Sequence, residues 1–120
     1  MRSRVLIVED ESLIAMAIGA EVAALGHHIV GPAASVAAAA ELIGSEIIDC
    51  ALVDYRLADG AADDLVGLLH DASVPFAWIS GCAEGELPAG ASAMLHKPIE
   101  RRAMRRMLER LPLAAHRRAS

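Results

Sequence analysis

The amino-acid sequence predicts an α/β fold in which the strands of one parallel sheet alternate with helices. Short continuous apolar runs recur along the chain, and such runs are typical of strands buried on both faces of a parallel sheet. Between these runs lie longer segments whose apolar residues repeat with helical spacing. Strand and helix alternate five times within 120 residues, which is the length of one domain.

Each element is predicted from a local pattern. Residues 5–8, 28–30, 50–53, 76–79 and 93–95 are the predicted strands. Helices are predicted from residue 12 to a stop at Gly26, over 36–43 with Ser35 as N-cap, over 62–71 after a turn at 58–60, and from Pro98 to Pro112. The glycines and proline of residues 82–92 leave room for only a short or irregular fourth helix.

Two helices have predicted core faces. On the first helix, the apolar residues that share one face are Leu13, Ile14, Ala17, Ile18, Val22 and Leu25. On the last helix, the corresponding residues are Ile99, Ala103, Met104, Met107, Leu108 and Leu111. The arginines of the last helix lie largely off this face, so we expect them to be exposed.

Composition excludes several classes of protein. The hydrophobic content of 55% argues against disorder, and three aromatic residues are too few for a base-stacking nucleic-acid surface. Two cysteines give neither a disulfide framework nor a metal-finger spacing, and no signal peptide or membrane span is evident. We therefore expect a cytoplasmic domain. Residues 1–96 carry a net charge of −11 and residues 97–120 a net charge of +6, which indicates a basic last helix.

Polar residues stand where four of the predicted strands end. Glu9 and Asp10 follow the first strand, Asp54 the third, Ser80 the fourth and Lys97 the fifth. The working site of an open α/β sheet lies outside the carboxyl ends of its strands. The sequence therefore predicts one polar cleft at this edge.

Three carboxylates in one cleft repel each other unless a cation neutralises them. Oxygen ligands with room for water suit Mg²⁺, and Asp10 and Asp54 are the candidate direct ligands. Glu9 is expected to act through a water molecule. A carboxylate is also a nucleophile toward phosphoryl groups, and Asp54 is the better candidate because it ends the central strand.

Other residues complete a phosphoryl site. Lys97 supplies positive charge, while the Ser80 hydroxyl and the Gly81 backbone N–H are candidate donors to phosphoryl oxygens. Cys82 lies two positions beyond Ser80, where its side chain would control the access of water to the phosphoryl group.

These motifs resemble the receiver domain of bacterial response regulators. The resemblance rests on Val8–Glu11, on Val53–Leu57 with Asp59-Gly60, on Ile79–Gly81 and on Lys97-Pro98. It runs from about residue 4 to residue 111. It implies a flavodoxin-like (βα)5 sandwich with a sheet of order 2-1-3-4-5. It also implies one stand-alone domain over 1–120, with 112–120 as a tail.

The resemblance implies a role for each site residue. Asp54 would be the phosphoacceptor, Arg56 a metal ligand through its backbone carbonyl, Ser80 the switch hydroxyl and Lys97 the phosphate-binding lysine. The phosphodonor would be a phosphohistidine on a sensor kinase or phosphotransfer protein. Mn²⁺ would substitute for Mg²⁺. The domain would not be a turnover enzyme.

Two positions depart from the family pattern. Ala58 stands where the family usually has proline, and Met94 stands where it usually has a switch Tyr or Phe. Ring rotation therefore cannot be the readout. Residues 78–82 resemble a degenerate Phe-Ala-Thr-Gly-apolar-Tyr motif, which marks a receiver subfamily common as single domains. Arg56 and Cys82 would set the phosphoryl lifetime.

Output is expected through a protein partner in trans, or else the domain serves as a phosphate sink or relay intermediate. The last helix is a candidate homodimer surface, and DNA binding is not expected. Two rival functions remain open. One is an unphosphorylated scaffold that binds through its surface. The other is a Mg²⁺-dependent phosphatase with an aspartyl nucleophile. Arg56 argues against this function, because such enzymes need an acid-base aspartate two residues after the nucleophile.

Overall fold

The structure is a computed structural model that describes residues 3–57, 60–61, 63–80, 93–96 and 99–110. In chain order these residues form β1 (Arg4–Val8), α1 (Ser12–Ala24), β2 (His28–Ala33), α2 (Val36–Ser45), β3 (Cys50–Asp54), β4 (Arg56–Leu57), β5 (Gly60–Ala61), α3 (Asp63–Asp71), β6 (Phe76–Ser80), β7 (Ala93–His96) and α4 (Arg101–Arg110). The predicted short fourth helix falls on residues that lie outside these ranges.

Five of the strands form one parallel sheet. Its order is β2-β1-β3-β6-β7, which is the order 2-1-3-4-5 of the five predicted strands. The flavodoxin-like α/β fold expected from the sequence is therefore confirmed. Because β1 and β3 are neighbours in the centre, the residues that follow them meet at the same carboxyl edge.

Alternate residues of each strand pack into two separate hydrophobic cores, one on each face of the sheet. Val5, Ile7 and Leu52 lie on the face that α1 and α4 cover. There they form one cluster with Met104, Met107 and Leu108 of α4. Leu6, Val53 and Trp78 face the opposite layer, where α2 and α3 cover them. Burial on both faces explains why β1 is apolar without alternation, since Val5 through Val8 are all fully buried.

The edge strand β2 is longer than the sequence indicates. The sequence predicts a strand over 28–30, but pairing with β1 continues to Ala33 through a register shift. Gly31 has a φ of +94°, and a Cβ there would lie 2.7 Å from the Ala33 nitrogen. Glycine thus permits the irregularity that lets the Ala33 carbonyl accept the Glu9 N–H at 2.9 Å.

The predicted core face of α1 is partly wrong. Ile18 and Val22 are buried as expected, but Leu13 and Ala17 are exposed, and Ala15 and Gly19 are buried in their place. The helix is apolar almost all round, so its hydrophobic pattern does not select one face.

The start of α4 also differs from the prediction. Ile99 and Glu100 are not helical, and the first turn forms when the Glu100 carbonyl accepts the Met104 N–H at 3.0 Å. Met104, Met107 and Leu108 are buried as predicted, whereas Ala103 is exposed. Leu111 lies outside the described residues. Among those described, no helix is long and apolar enough to cross a membrane.

The structure tests the predictions for the N-cap of α2 and for the segment that follows β3. The Ser35 side chain accepts the Ala38 N–H at 3.0 Å, which confirms its role as N-cap of α2. After β3 the chain forms a small antiparallel hairpin, β4 with β5, that the sequence did not indicate. Residues 58–59 of the expected turn lie outside the described ranges.

Candidate functional site

Three carboxylates meet at the carboxyl edge of the sheet, as the sequence predicts. Glu9 and Asp10 follow β1, and Asp54 is the last residue of the adjacent strand β3. Each offers a carboxylate oxygen, and these oxygens all lie within 4.8 Å of one another. Topology alone accounts for this meeting, because parallel neighbours deliver their carboxyl ends to one place.

Burial of this cluster destabilises the folded state. The residue exposure is 2% for Glu9 and 5% for Asp54, while Asp10 is partly buried. Like charges held this close repel each other, and partial burial reduces the screening by water. A bound cation would relieve this repulsion.

Backbone donors hold two of the carboxylates in place. Asp54 Oδ1 accepts the Arg56 N–H at 3.2 Å, and Glu9 Oε2 accepts the Glu11 N–H at 3.2 Å. Both bonds join a side chain to the amide two residues later, a local pattern common for aspartate. These two backbone donors are not predicted from the sequence, although the i to i+2 spacing could have indicated the Asp54 bond.

The cluster suits Mg²⁺ in its chemistry and its dimensions. Mg²⁺ takes oxygen ligands at about 2.0–2.1 Å in octahedral geometry, so two ligands on opposite sides of it are about 4.2 Å apart. Carboxylate oxygens that all lie within 4.8 Å of one another are therefore close enough to surround one such cation.

The end of β6 lies beside Asp54. Asp54 is in register with Ile79, and the Tyr55 N–H donates to the Ile79 carbonyl at 3.1 Å. The backbone of Ser80, one residue further, is therefore next to the carboxylate edge, in register with His96 of β7. Gly81, Cys82 and Lys97 lie outside the described residues.

An aromatic cluster lies beneath the site. The Tyr55 and Trp78 rings meet edge to face with centroids 5.3 Å apart, and Phe76 meets Trp78 in the same way at 5.2 Å. Trp78 is 2% exposed and in register with both Val53 and Met94. It therefore lies on the strand next to the one that carries Asp54.

The remaining predicted site residues are exposed. Met94, the residue at the switch position, is 44% exposed on the edge strand β7. The Arg56 side chain is exposed, and its backbone pairs with Ala61 in the hairpin. The hairpin thus holds the Arg56 backbone close to Asp54 while leaving its side chain in solvent.

Burial shifts the pKa of two titratable groups that lie away from the cluster. Burial, together with the nearby Asp49 charge, raises the pKa of the Cys50 thiol to about 12, which keeps the thiol protonated and unreactive. Burial lowers the pKa of His27, whose Nδ1 accepts the Ser3 N–H at 3.1 Å. Both residues lie near the amino ends of the strands, away from the carboxylates.

No family model matches this chain. The chain is 36% identical over 107 residues to the phyllosphere-induced regulator PhyR of Methylorubrum extorquens, a match that covers 83% of this chain and 40% of that protein. The chain thus spans about two fifths of the length of the curated relative that it matches.

Solved structures share the fold. The CheY-like response-regulator receiver domain from Methanospirillum hungatei JF-1 has a TM-score of 0.77 and 25% identity, over 91% of this chain and 92% of that one. The receiver domain of sensor histidine kinase PA1611 from Pseudomonas aeruginosa PAO1, with magnesium coordinated in its active-site cleft, has a TM-score of 0.83 and 24% identity, over 92% and 97%. A double mutant of the anti-anti-sigma factor PhyR from Bartonella quintana has a TM-score of 0.78 and 28% identity, over 90% and 47%.

Proposed function

We propose that this chain, which has the fold of response-regulator receiver domains and resembles them in sequence, accepts a phosphoryl group on Asp54. The observation that carries the proposal is the cluster of Glu9, Asp10 and Asp54 oxygens within 4.8 Å at the carboxyl edge of the sheet. A domain that served only as a scaffold would gain nothing from mutually repelling carboxylates.

Asp54 would act as the nucleophile. One of its carboxylate oxygens would bond to phosphorus while the bond between phosphorus and the donor's histidine nitrogen breaks. The imidazole ring would take up a proton from water as it leaves, giving an aspartyl phosphate and a neutral donor histidine. The Arg56 N–H bond to Oδ1 orients the Asp54 carboxylate. Positioning of this kind supplies much of the catalysis in phosphoryl transfer.

Asp10, Asp54 and the Arg56 backbone carbonyl would hold Mg²⁺, with Glu9 acting through a water molecule, and Mn²⁺ would substitute. The PA1611 receiver domain, which shares this fold, coordinates magnesium in its cleft. When bound, the cation offsets the charge of the carboxylates and of the incoming phosphoryl group. Ser80, the Gly81 N–H and Lys97 would bind the phosphoryl oxygens, and Cys82 would limit the approach of water.

Output would pass through a changed protein surface. A phosphoryl group adds charge at Asp54, which would draw Ser80 and Lys97 inward and alter the exposed strand β7, including Met94. We propose a sensor kinase or phosphotransfer protein as donor and a downstream protein in trans as target, within the cytoplasm. A homodimer through α4 has less support, because a two-fold axis there would oppose the exposed arginines of the two copies.

A second candidate concerns the class of target. The Bartonella quintana relative is an anti-anti-sigma factor, and the curated relative is also a PhyR protein. We propose that the downstream partner belongs to a cascade that controls a sigma factor, so that the output is binding rather than catalysis.

The experiment is phosphorylation by the small-molecule donors acetyl phosphate and phosphoramidate, with intact-mass spectrometry as the readout. We expect the mass of one phosphoryl group to be added in the presence of Mg²⁺, with no gain in EDTA or in Asp54→Asn. No gain in a folded wild-type protein would leave the scaffold as the better function. Multiple turnovers of a chromogenic phosphate ester would instead favour the phosphatase.

A further inference from the structure

The aromatic residues of the chain form one row that ends beside Asp54. The sequence contains a single Phe, a single Trp and a single Tyr. Phe76 and Trp78 lie on the same face of β6 with ring centroids 5.2 Å apart, and Tyr55 meets Trp78 at 5.3 Å. Both contacts are edge to face, a geometry that aromatic pairs favour. Because Tyr55 directly follows Asp54 in the chain, the row brings an aromatic contact to the candidate phosphoacceptor.

Tyr55 is placed differently from the other two rings. Phe76 is fully buried and Trp78 is 2% exposed, so both belong to the hydrophobic core that α2 and α3 cover. Tyr55 is half-buried, follows the last residue of β3 and packs against that core. Burial of apolar area therefore accounts for Phe76 and Trp78 more fully than for Tyr55.

The backbone at Tyr55 orients the donor that holds Asp54. Tyr55 is the residue between Asp54 and Arg56, so its φ and ψ angles orient the Arg56 N–H relative to the Asp54 side chain. That N–H donates to Asp54 Oδ1 at 3.2 Å, and the Arg56 carbonyl is the proposed metal ligand. A change in the torsion angles of Tyr55 would move both groups.

Three contacts restrict this part of the backbone. The Tyr55 N–H donates to the Ile79 carbonyl at 3.1 Å, and Arg56 pairs with Ala61 in the hairpin of β4 and β5. These two contacts leave the Tyr55 side chain free to change rotamer, and the Trp78 ring then holds it. Because the rotamers open to a side chain depend on φ and ψ, a ring held in place also restricts the backbone that carries it.

We propose that Tyr55 is a positioning residue for phosphoryl transfer to Asp54 and acts through its edge-to-face contact with Trp78. The contact holds the Tyr55 backbone, so that the Arg56 N–H stays directed at the Asp54 carboxylate. This inference rests on the proposed function, because positioning affects a rate only if Asp54 reacts. Small displacements of a reacting group slow a reaction strongly, so a residue that touches no reactant can change the rate.

The test compares matched variants of the whole chain. Tyr55→Leu removes the ring but keeps an apolar side chain, and Tyr55→Phe keeps the ring. Phe76→Leu is the control, because it removes an edge-to-face contact with the same Trp78 ring at the start of β6, in register with Ala51. Intact-mass spectrometry follows the rate of phosphorylation by acetyl phosphate with Mg²⁺, and urea unfolding measures the stability of each variant.

The rate should depend on the Tyr55 ring and not on the Phe76 ring. We expect Tyr55→Leu to be phosphorylated about two- to tenfold more slowly than wild type, which corresponds to the strength of one edge-to-face contact. Tyr55→Phe should keep the wild-type rate. Phe76→Leu should also react at the wild-type rate, although it should lose at least as much stability as Tyr55→Leu, because Phe76 is the more deeply buried ring.

A second measurement needs neither a phosphoryl donor nor Mg²⁺. The Arg56 amide is expected to exchange with solvent several-fold faster in Tyr55→Leu than in wild type, because its bond to Asp54 Oδ1 is weakened, and to be unchanged in Phe76→Leu. Exchange is measured by NMR in EDTA. If Tyr55→Leu does not fold, Tyr55→Met, which also lacks the ring, takes the same tests.

The outcomes separate this proposal from the proposed function. No phosphorylation of folded wild type would overturn the proposed function, and the role of Tyr55 in transfer with it. A wild type that is phosphorylated no faster than Tyr55→Leu would overturn the role of Tyr55 alone. The same holds if Tyr55→Phe or Phe76→Leu is as slow as Tyr55→Leu, or if exchange of the Arg56 amide is the same in Tyr55→Leu and wild type.

Discussion

Neutralising Asp54 is expected to stabilise the protein in the absence of divalent cations. The Asp54 carboxylate lies within 4.8 Å of two others, and at an effective dielectric constant of about 20 each such pair repels by about 3.5 kcal/mol. Asp54→Asn removes both repulsions and keeps an oxygen for the Arg56 N–H. The hydrogen bond to a neutral oxygen is weaker than the bond to a carboxylate, so the net gain is smaller than the repulsion removed. We expect the free energy of unfolding in EDTA to rise by about 1–3 kcal/mol.

Urea unfolding followed by circular dichroism measures this change, with EDTA and Mg²⁺ as parallel conditions. Mg²⁺ should stabilise the wild-type protein, because the cation binds the three carboxylates in the folded state and not in the unfolded chain. Its effect on Asp54→Asn should be much smaller, because the variant lacks one of these carboxylates. In a thermal scan, each kcal/mol would correspond to about 3–6 °C for a domain of this size. An Asp54→Asn variant that is less stable than wild type in EDTA, or equal stabilisation of both proteins by Mg²⁺, would refute the reasoning.

Three further predictions test the account of the fold. Gly31→Ala should lower the free energy of unfolding by about 1–3 kcal/mol, because Gly31 has a φ of +94° and an added Cβ would meet the Ala33 nitrogen. The control Gly44→Ala lies in α2 with open space around it and should be neutral or slightly stabilising. Equal effects of the two substitutions in urea unfolding would contradict this prediction. Ser35→Ala should cost about 1 kcal/mol by removing the N-cap of α2, and an unchanged urea midpoint would show that the cap contributes nothing. Burial raises the pKa of Cys50 to about 12 in the folded state, so stability should fall as pH rises above 9.0, the pKa of the thiol in the unfolded chain, by about 1.4 kcal/mol at pH 10. Cys50→Ala should lose this part of the pH dependence, and a profile that it does not alter would count against the burial of the thiol.

Much of the fold and of the site could be predicted because local pattern and topology agree. Strands such as β1 and β3 are buried on both faces, so their apolar runs are unbroken. Parallel pairing then brings the residues that follow them to one edge, which is why Glu9, Asp10 and Asp54 could be grouped before any coordinates were known.

The parts that could not be predicted depend on tertiary contacts. The face of α1 is selected by the sheet beneath it, and a helix that is apolar all round carries no periodic signal for that choice. The extension of β2 depends on the Glu9 N–H reaching the Ala33 carbonyl, and the hairpin after Asp54 depends on the pairing of Arg56 with Ala61. Each depends on contacts between residues of different elements, which a local hydrophobic pattern does not predict.

The most direct test of phosphoacceptor function uses beryllofluoride, a mimic of the aspartyl phosphoryl group, with Mg²⁺. Trp78 is the single tryptophan of the chain and is in register with Val53, next to Asp54, so its fluorescence reports on the site. We predict a saturable change in Trp78 fluorescence that requires both Mg²⁺ and beryllofluoride and is lost in Asp54→Asn. The same change in Asp54→Asn, or no change in a folded wild-type protein whose amide resonances also stay fixed, would contradict the account.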